Sequence, residues 1–228
     1  MGIASQLRAG LQASTFTLDR ASLKDQTASL LREWIVSGRI AAGSKITERD
    51  IAELLHISRM PARDALMDLE RQGLVVNKPG GRYVIRLGEA EIRQLYQLRL
   101  ALEKLALELA IYNASAENIS AVESKLIEMR RAIAEGDPSR YSASDLAMHA
   151  LVWQQAGNPY LVNMLHSMIG PIFMVIATQA RLVEDWQESL RLHAQLLETI
   201  SNRDVPAAHR SLEAHLQHSL DLALSAFR

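Results

Sequence analysis

From Glu89 onward the sequence offers only helical periodicity. Six segments, roughly 89–113, 116–135, 138–156, 159–181, 185–202 and 204–227, carry apolar residues at helical spacing. The breaks between them, "NAS", "EGDP", "AGNP", "VED" and "NRDVP", hold capping or helix-breaking residues. No run alternates with the period that a half-buried strand needs. Such a stretch buries its apolar stripes only by packing helix against helix, so it predicts an all-α six-helix bundle.

The chain before Glu89 reads differently. Residues 1–20 lack periodicity and read as a flexible arm. From Ala21 a helix pattern runs through Leu23, Ala28, Leu30, Leu31, Trp34 and Ile35 and stops at "SGRIAAGSK". Thr47 opens a second helix, "TERDIAELL", with Asp50 placed to complete a capping box. After the tight turn "HIS", Ser58 opens a third helix, "RMPARDALMDLERQG", with Pro61 in its first turn and Gly73 at its end. Two strand-like runs follow, "LVV" (74–76) and "RYVI" (82–85), joined by the hairpin composition "NKPGG". Three helices and a hairpin over residues 21–88 predict a winged helix-turn-helix, and residues 89–228 form the second domain. The fold class is mainly α.

Charge agrees with this division. Residues 1–88 hold 13 Lys/Arg against 9 Asp/Glu, while residues 89–228 hold 12 against 17. A basic first domain on an acidic second places the first near a polyanion. With no Cys, thiolate chemistry, cysteine zinc sites and disulfides are excluded. No apolar run approaches membrane-spanning length and the first residues carry no continuous apolar segment, so a cytoplasmic chain with no membrane partner is expected.

In a helix-turn-helix the second helix enters the major groove and presents its first residues to base edges. Here these are Ser58, Arg59, Met60, Pro61 and Arg63. An Arg suits bidentate bonds to guanine, and Ser58 with the helix amides suits a phosphate. Arg49 on the preceding helix is placed for backbone or base. The wing tip, Lys78 to Arg82, has Gly80 and Gly81 for close approach. Taken singly, Arg59 and Arg63 would read as solvated helix charges. The interior spacing of Ile51, Leu54, Leu55, Ile57, Ala62, Ala65, Leu66 and Leu69, followed by a wing, favours DNA binding.

The segment "LREWIVSGRIAAGSKITERDIAELLHISRMPARDALMDLERQGLVVNKPGGRYVI" resembles the N-terminal domain of the GntR family of bacterial transcription regulators. The later segments "LYQLRLALEKLALELA", "SDLAMHALVWQQAGNPYL" and "RLHAQLLETISNRDVPAAHRSLEAHL" resemble that family's FadR-type (FCD) sensing domain, in its shorter VanR-like six-helix variant. One departure is Met60, where the family commonly has Thr.

Within the bundle, polar residues interrupt apolar stripes. Asp145 and His149 lie one turn apart on a face that also carries Tyr141, Val152 and Ala156. His193 lies among Trp186, Leu190, Leu197 and Ile200, and His215 among Ala208, Leu212, Ser219 and Leu222. A single inward His is usually a satisfied core residue. Three with a carboxylate suit a divalent cation: zinc, nickel, manganese or iron. The resemblance implies the same, because many FadR-type domains hold a metal with an Asp and a His on one helix and His on two later helices, and Asp145, His149, His193 and His215 match those positions. Zinc is the first choice. His218 is the alternate ligand, while His56, His166 and His209 lie off the inward stripes. Arg99 also faces inward, either as an ion pair with Glu103 or another acid, or as a fork for the carboxylate of a small organic acid effector. Asn163 is placed in the same pocket.

These readings converge on a regulator, expected to be a repressor, that binds double-stranded operator DNA as a homodimer and responds to a small carboxylate at a metal-containing site. The alternatives are a metalloenzyme, hydrolase or oxygenase, using the Asp/His site, and an architectural DNA-binding protein with a structural metal.

Overall fold

The computed structural model describes residues 23–179, 183–225 and 227. The chain divides into two compact units between Arg86 and Leu87. The expected arm, residues 1–20, lies outside the described residues.

In the N-terminal unit the elements are α1 (Leu23–Val36), β1 (Lys45–Ile46), α2 (Glu48–Leu55), α3 (Arg59–Arg71), β2 (Val75–Lys78) and β3 (Gly81–Val84). Trp34, Leu31, Ile35, Ile51, Ala62, Ala65, Leu66 and Leu69 are buried and give this unit its core. Leu54, Leu55 and Ile57, read as interior positions, are only half-buried. Thr47 caps α2 by accepting from the Asp50 amide at 3.1 Å. The capping box is not completed, because the Asp50 carboxylate takes its bond from the Thr47 hydroxyl at 2.8 Å instead of from a backbone N–H. His56 closes α2 in the left-handed conformation, φ 54°. Ser58 occupies the N-cap of α3 with extended backbone, but its hydroxyl makes no capping bond.

The sheet is three-stranded and antiparallel, in order β1-β3-β2. Lys78 pairs with Gly81, which leaves Pro79 and Gly80 as a two-residue turn. Proline followed by Gly80 at φ 96° is the type II combination, which a residue with a Cβ adopts poorly. β1 was not foreseen. Two residues are too few to show a period, and their pairing with Tyr83 and Arg82 is long-range.

The C-terminal unit contains six helices among the described residues: α4 (Glu89–Asn113), α5 (Ala116–Glu135), α6 (Pro138–Gln155), α7 (Pro159–Gln179), α8 (Val183–Ser201) and α9 (Val205–Ser225). Their starts are written in the sequence. The Gly88 amide donates to Glu91, and Ser115, Asp137, Asn158 and Asp204 each accept an amide of the first turn of the helix they precede. The main core joins Leu107, Ile111, Leu126, Met129, Met148, Leu196, Ile200 and Leu212, from α4, α5, α6, α8 and α9. Tyr141 stacks on Trp186 at 5.4 Å between ring centres, tying α6 to α8.

Leu66→Ala should destabilise the N-terminal unit by about 2–5 kcal/mol, because the fully buried side chain leaves a cavity between α1, α2 and α3. Faster amide hydrogen exchange across residues 51–69 of the full-length variant is the measurement.

Candidate DNA-facing surface and metal centre

The N-terminal unit presents a cleft lined by Lys45, Thr47, Glu48, Arg49, Arg59, Asn77, Gly80, Gly81 and Arg82. It brings the start of α3 together with the wing. Lys45 and Asn77 are additions: β1, which carries Lys45, is too short to be read, and Asn77, read as part of the hairpin turn, lies on β2. Arg59, Met60 and Arg63 are exposed on α3, Pro61 is half-buried, and Lys78 is exposed at the wing tip.

The cations differ in what already holds them. Arg49 pairs with Glu53 at 2.8 Å, and this carboxylate raises the guanidinium pKa. Arg63 lies 4.0 Å from Glu48. Arg82 donates to Glu48 at 2.9 Å and lies 3.2 Å from Glu70, although its Nε is poorly aligned for a bond there. Arg82 therefore braces β3 against α2 and α3 while it also lines the cleft. Arg59, Lys45 and Lys78 carry no ion pair among the described residues.

In the helical unit the four residues expected to hold a metal come together from three helices. Asp145 and His149 lie on α6, His193 on α8 and His215 on α9, and all four are buried. One ring nitrogen from each of His149, His193 and His215 lies within 4.8 Å of the other two. His149 Nε2 is 3.1 Å from His215 Nε2, and Asp145 Oδ1 is 2.9 Å from His193 Nε2 and 3.5 Å from His149 Nε2. Adjacent ligands about 2.1 Å from a zinc-like ion stand about 3.0–3.4 Å apart, so these spacings fit one shared cation. The opposite ring nitrogens fit it too. His193 Nδ1 donates to the Ser189 carbonyl at 2.7 Å, and His149 Nδ1 donates to Glu103 Oε2 at 3.0 Å. These bonds fix the tautomers that leave Nε2 as a lone pair. His215 Nδ1 is buried without a partner among the described residues.

Glu103 is the residue that sequence reasoning undervalued. It was weighed only as a partner of Arg99, and it is that, with Arg99 Nε donating to Oε1 at 2.5 Å. Its second oxygen takes His149, so one carboxylate orients both a candidate ligand and the candidate fork. Burial opposes its ionisation, but Arg99 and then His149 outweigh this and hold the carboxyl well below its usual range. Asp145 behaves alike: burial raises its pKa, while His193, His149 and Arg99 bring it below the ordinary value. Arg99 is completely enclosed, with Nη2 3.4 Å from His149 Nε2 and Nη1 lacking a partner among the described residues. Tyr96 lies under its guanidinium and bonds Ser219 at 2.7 Å. On the side of Leu107, Met148, Val152, Leu196 and Leu212 the cluster meets a cavity of about 10 Å³, room for roughly one water.

Asn163 does not join this group. It is exposed on α7, and its placement in the pocket is corrected: the inward residues of that turn are Leu161 and Leu165, which put Asn163 on the opposite side of the helix. His166 is also exposed and stands edge-on to Trp153, while His209 and His218 each bury Nε2 without a partner among the described residues.

Burial, followed by His193, His149 and Arg99, lowers the pKa of His215 well below 6.5. The unfolded ring takes up a proton below that value and the folded one does not. Stability from this group is thus complete above about pH 6.5 and declines as pH falls below it. In chelator-treated protein the melting temperature of His215→Gln should fall less between pH 7.5 and 5.5 than that of the parent, as followed by calorimetry.

Comparison with known proteins agrees with this division. Residues 94–218 match the FCD domain, and residues 23–85 match the bacterial regulatory proteins of the gntR family. The chain is 28% identical over 202 residues to the gluconate operon transcriptional repressor of Bacillus licheniformis, covering 86% of this chain and 82% of that one. It is 25% identical over 196 residues to the HTH-type transcriptional repressor RspR of Escherichia coli, covering 86% of each. Among solved structures, Escherichia coli McbR/YncC shares the fold with a TM-score of 0.77 at 19% identity, covering 91% of this chain and 100% of that one. No helix among the described residues is long and apolar enough to cross a membrane. The two matched domains and the named repressors set the metalloenzyme alternative aside: the chain belongs to the GntR family and is a transcription regulator with an FCD effector-binding domain.

Proposed function

We propose that this regulator is a homodimeric repressor that binds a two-fold operator and is controlled by a small carboxylate held between a divalent metal and Arg99. The convergence of His149, His193 and His215 on one point carries the metal reading. Asp145 completes the ligand set, and zinc suits three imidazoles and a carboxylate. When bound, the metal supplies a fixed positive charge that anchors an anionic group.

The chain's own residues do the rest. Glu103 holds His149 in register and occupies Arg99 Nε, which leaves Arg99 Nη1 as a buried donor with no partner among the described residues. An incoming carboxylate satisfies that donor. The cavity toward Leu107 and Leu212 has room for only about one water, too little for the effector itself. The gluconate operon repressors are named for the operon of a sugar acid, which is itself a carboxylate. Control of DNA binding requires the effector to favour one state of the protein over another. Arg99 lies on α4, the helix that follows the wing directly in sequence, so a pull on Arg99 acts on the connection at Arg86–Glu89.

Assembly follows from the reader. One recognition helix reads too few base pairs for genomic specificity, and two-fold dimers double the site. The helical unit carries a suitable face. Leu98, Leu105 and Tyr112 repeat every two turns on α4 and are exposed, as are Tyr160 and Met164 on α7. The two helices pack together through Ala106, Leu161, Leu165 and Ile169. A second copy of this chain is the occupant proposed for that face.

Purified protein should contain about one zinc per chain by elemental analysis, and a chelator should lower its melting temperature. His193→Ala should lose the metal and the effector response while keeping basal DNA binding. Arg99→Lys, which keeps a cation beside Glu103 but removes the planar fork, should keep the metal and lose the response to a panel of small carboxylates. Arg99→Ala is a poorer test, because stranding buried Glu103 costs about 3–5 kcal/mol. A protein that holds no metal when purified without chelator, and gains no melting temperature on adding zinc, overturns the reading.

Leu105→Glu should convert the dimer to a monomer in sedimentation velocity at micromolar concentration. It should weaken operator binding with little change in the zinc content. A parent protein that sediments as a monomer, alone and on DNA, defeats the dimer.

A further inference from the structure

Met60 is 71% exposed, the most exposed large apolar side chain in the N-terminal unit among the described residues. It sits in the first turn of α3, between two exposed arginines, Arg59 and Arg63. Nothing in its own unit covers it, and its burial there stabilises nothing. An unbranched thioether in a row of guanidiniums has no use for a phosphate, to which it offers no donor. In the major groove one apolar group distinguishes the base pairs, the C5-methyl of thymine.

We infer that Met60 is a specificity-determining residue that packs on a thymine methyl in each operator half-site. This rests on α3 being the base-contacting helix. The helix geometry fixes where the thymine lies. Met60 and Arg63 are three residues apart and share a face, with Cβ atoms about 5–6 Å from each other. Base pairs stack about 3.4 Å apart, so the thymine falls about one or two steps from the base that Arg63 reads. Met60 also selects against a position filled by cytosine, whose amino group would lose water against the thioether without gaining a strong acceptor. A flexible three-bond side chain tolerates small shifts of the methyl, so the preference is for the methyl itself rather than for one strand geometry.

The test starts from a pool of random-sequence duplexes enriched on the full-length protein. In the enriched duplex each thymine is then replaced singly by uracil, which removes the methyl and leaves the base pair intact. One thymine per half-site should weaken binding by about three- to fivefold on replacement, the loss expected from one methyl group. With Met60→Ala, a good helix former at an exposed position, that same replacement should have no effect, and the variant should bind the uracil duplex as the parent does. If no thymine is sensitive in the parent, or if the sensitive one stays equally sensitive in Met60→Ala, the assignment of Met60 is overturned while the reading of α3 stands. A pool that yields no enriched sequence overturns both.

Discussion

The guanidinium of Arg99 and the carboxylate of Glu103 share a place in the helical bundle that water does not reach. Removing two charges from water is costly, and their attraction offsets this only when the remaining donors and acceptors are also met. Glu103 meets that condition: one oxygen accepts from Arg99 and the other from His149. Arg99 does not, because Nη1 lacks a partner among the described residues. The pair therefore has a closed end and an open end, and the open end is where a ligand's charge is worth most. A core built only for stability would have apolar side chains here, since these replace a buried ion pair at little or no loss.

From that pair the rest of the bundle follows. Glu103 fixes the His149 ring, which places Nε2 against His215 on α9 and near Asp145 on its own helix. Asp145 faces His193 on α8, whose far nitrogen is held by the Ser189 carbonyl. Four helices thus meet at one polar knot inside an otherwise apolar core. Both nitrogens of His193 face oxygens, Nδ1 the Ser189 carbonyl and Nε2 the Asp145 carboxylate.

Much of this was legible in the sequence. The six helices of the second unit follow from apolar spacing and from Ser115, Asp137 and Asp204, whose capping is local chemistry. The inward placement of Asp145, His149, His193 and His215 follows from the same stripes. What escaped has a common cause. Glu103 looked like the i+4 partner of Arg99, and nothing local reveals that its second oxygen turns to a histidine 46 residues away. β1 is two residues long and exists through pairing with β3. The ion pairs of Arg82 were not foreseen because Glu48 and Glu70, which hold it, are distant in sequence. Asn163, placed in the pocket because it follows "GNPYL", lies on the exposed side, opposite Leu161 and Leu165.

The pairing of Arg82 changes the electrostatics of the candidate DNA-facing surface. A cation already paired with a carboxylate releases a phosphate's counterion only if it leaves that carboxylate, and the two effects then cancel in part. Arg82 is paired through Glu48 and Glu70, Arg49 through Glu53, and Arg63 is near Glu48. On this surface Arg59, Lys45 and Lys78 carry no ion pair among the described residues and lie at the start of α3, on β1 and on the wing; elsewhere in the unit Arg32 bonds Gln72, and exposed Arg86 also carries no ion pair. Non-specific attraction to DNA therefore rests on fewer charges than the composition of the unit suggests. Glu48 adds a negative charge between the reading helix and the wing, so a backbone displaced toward it loses affinity. A surface arranged in this way leaves Arg59, at the start of α3, as a cation with no ion pair among the described residues, and base contacts rather than phosphate contacts are what separate an operator from the rest of a genome.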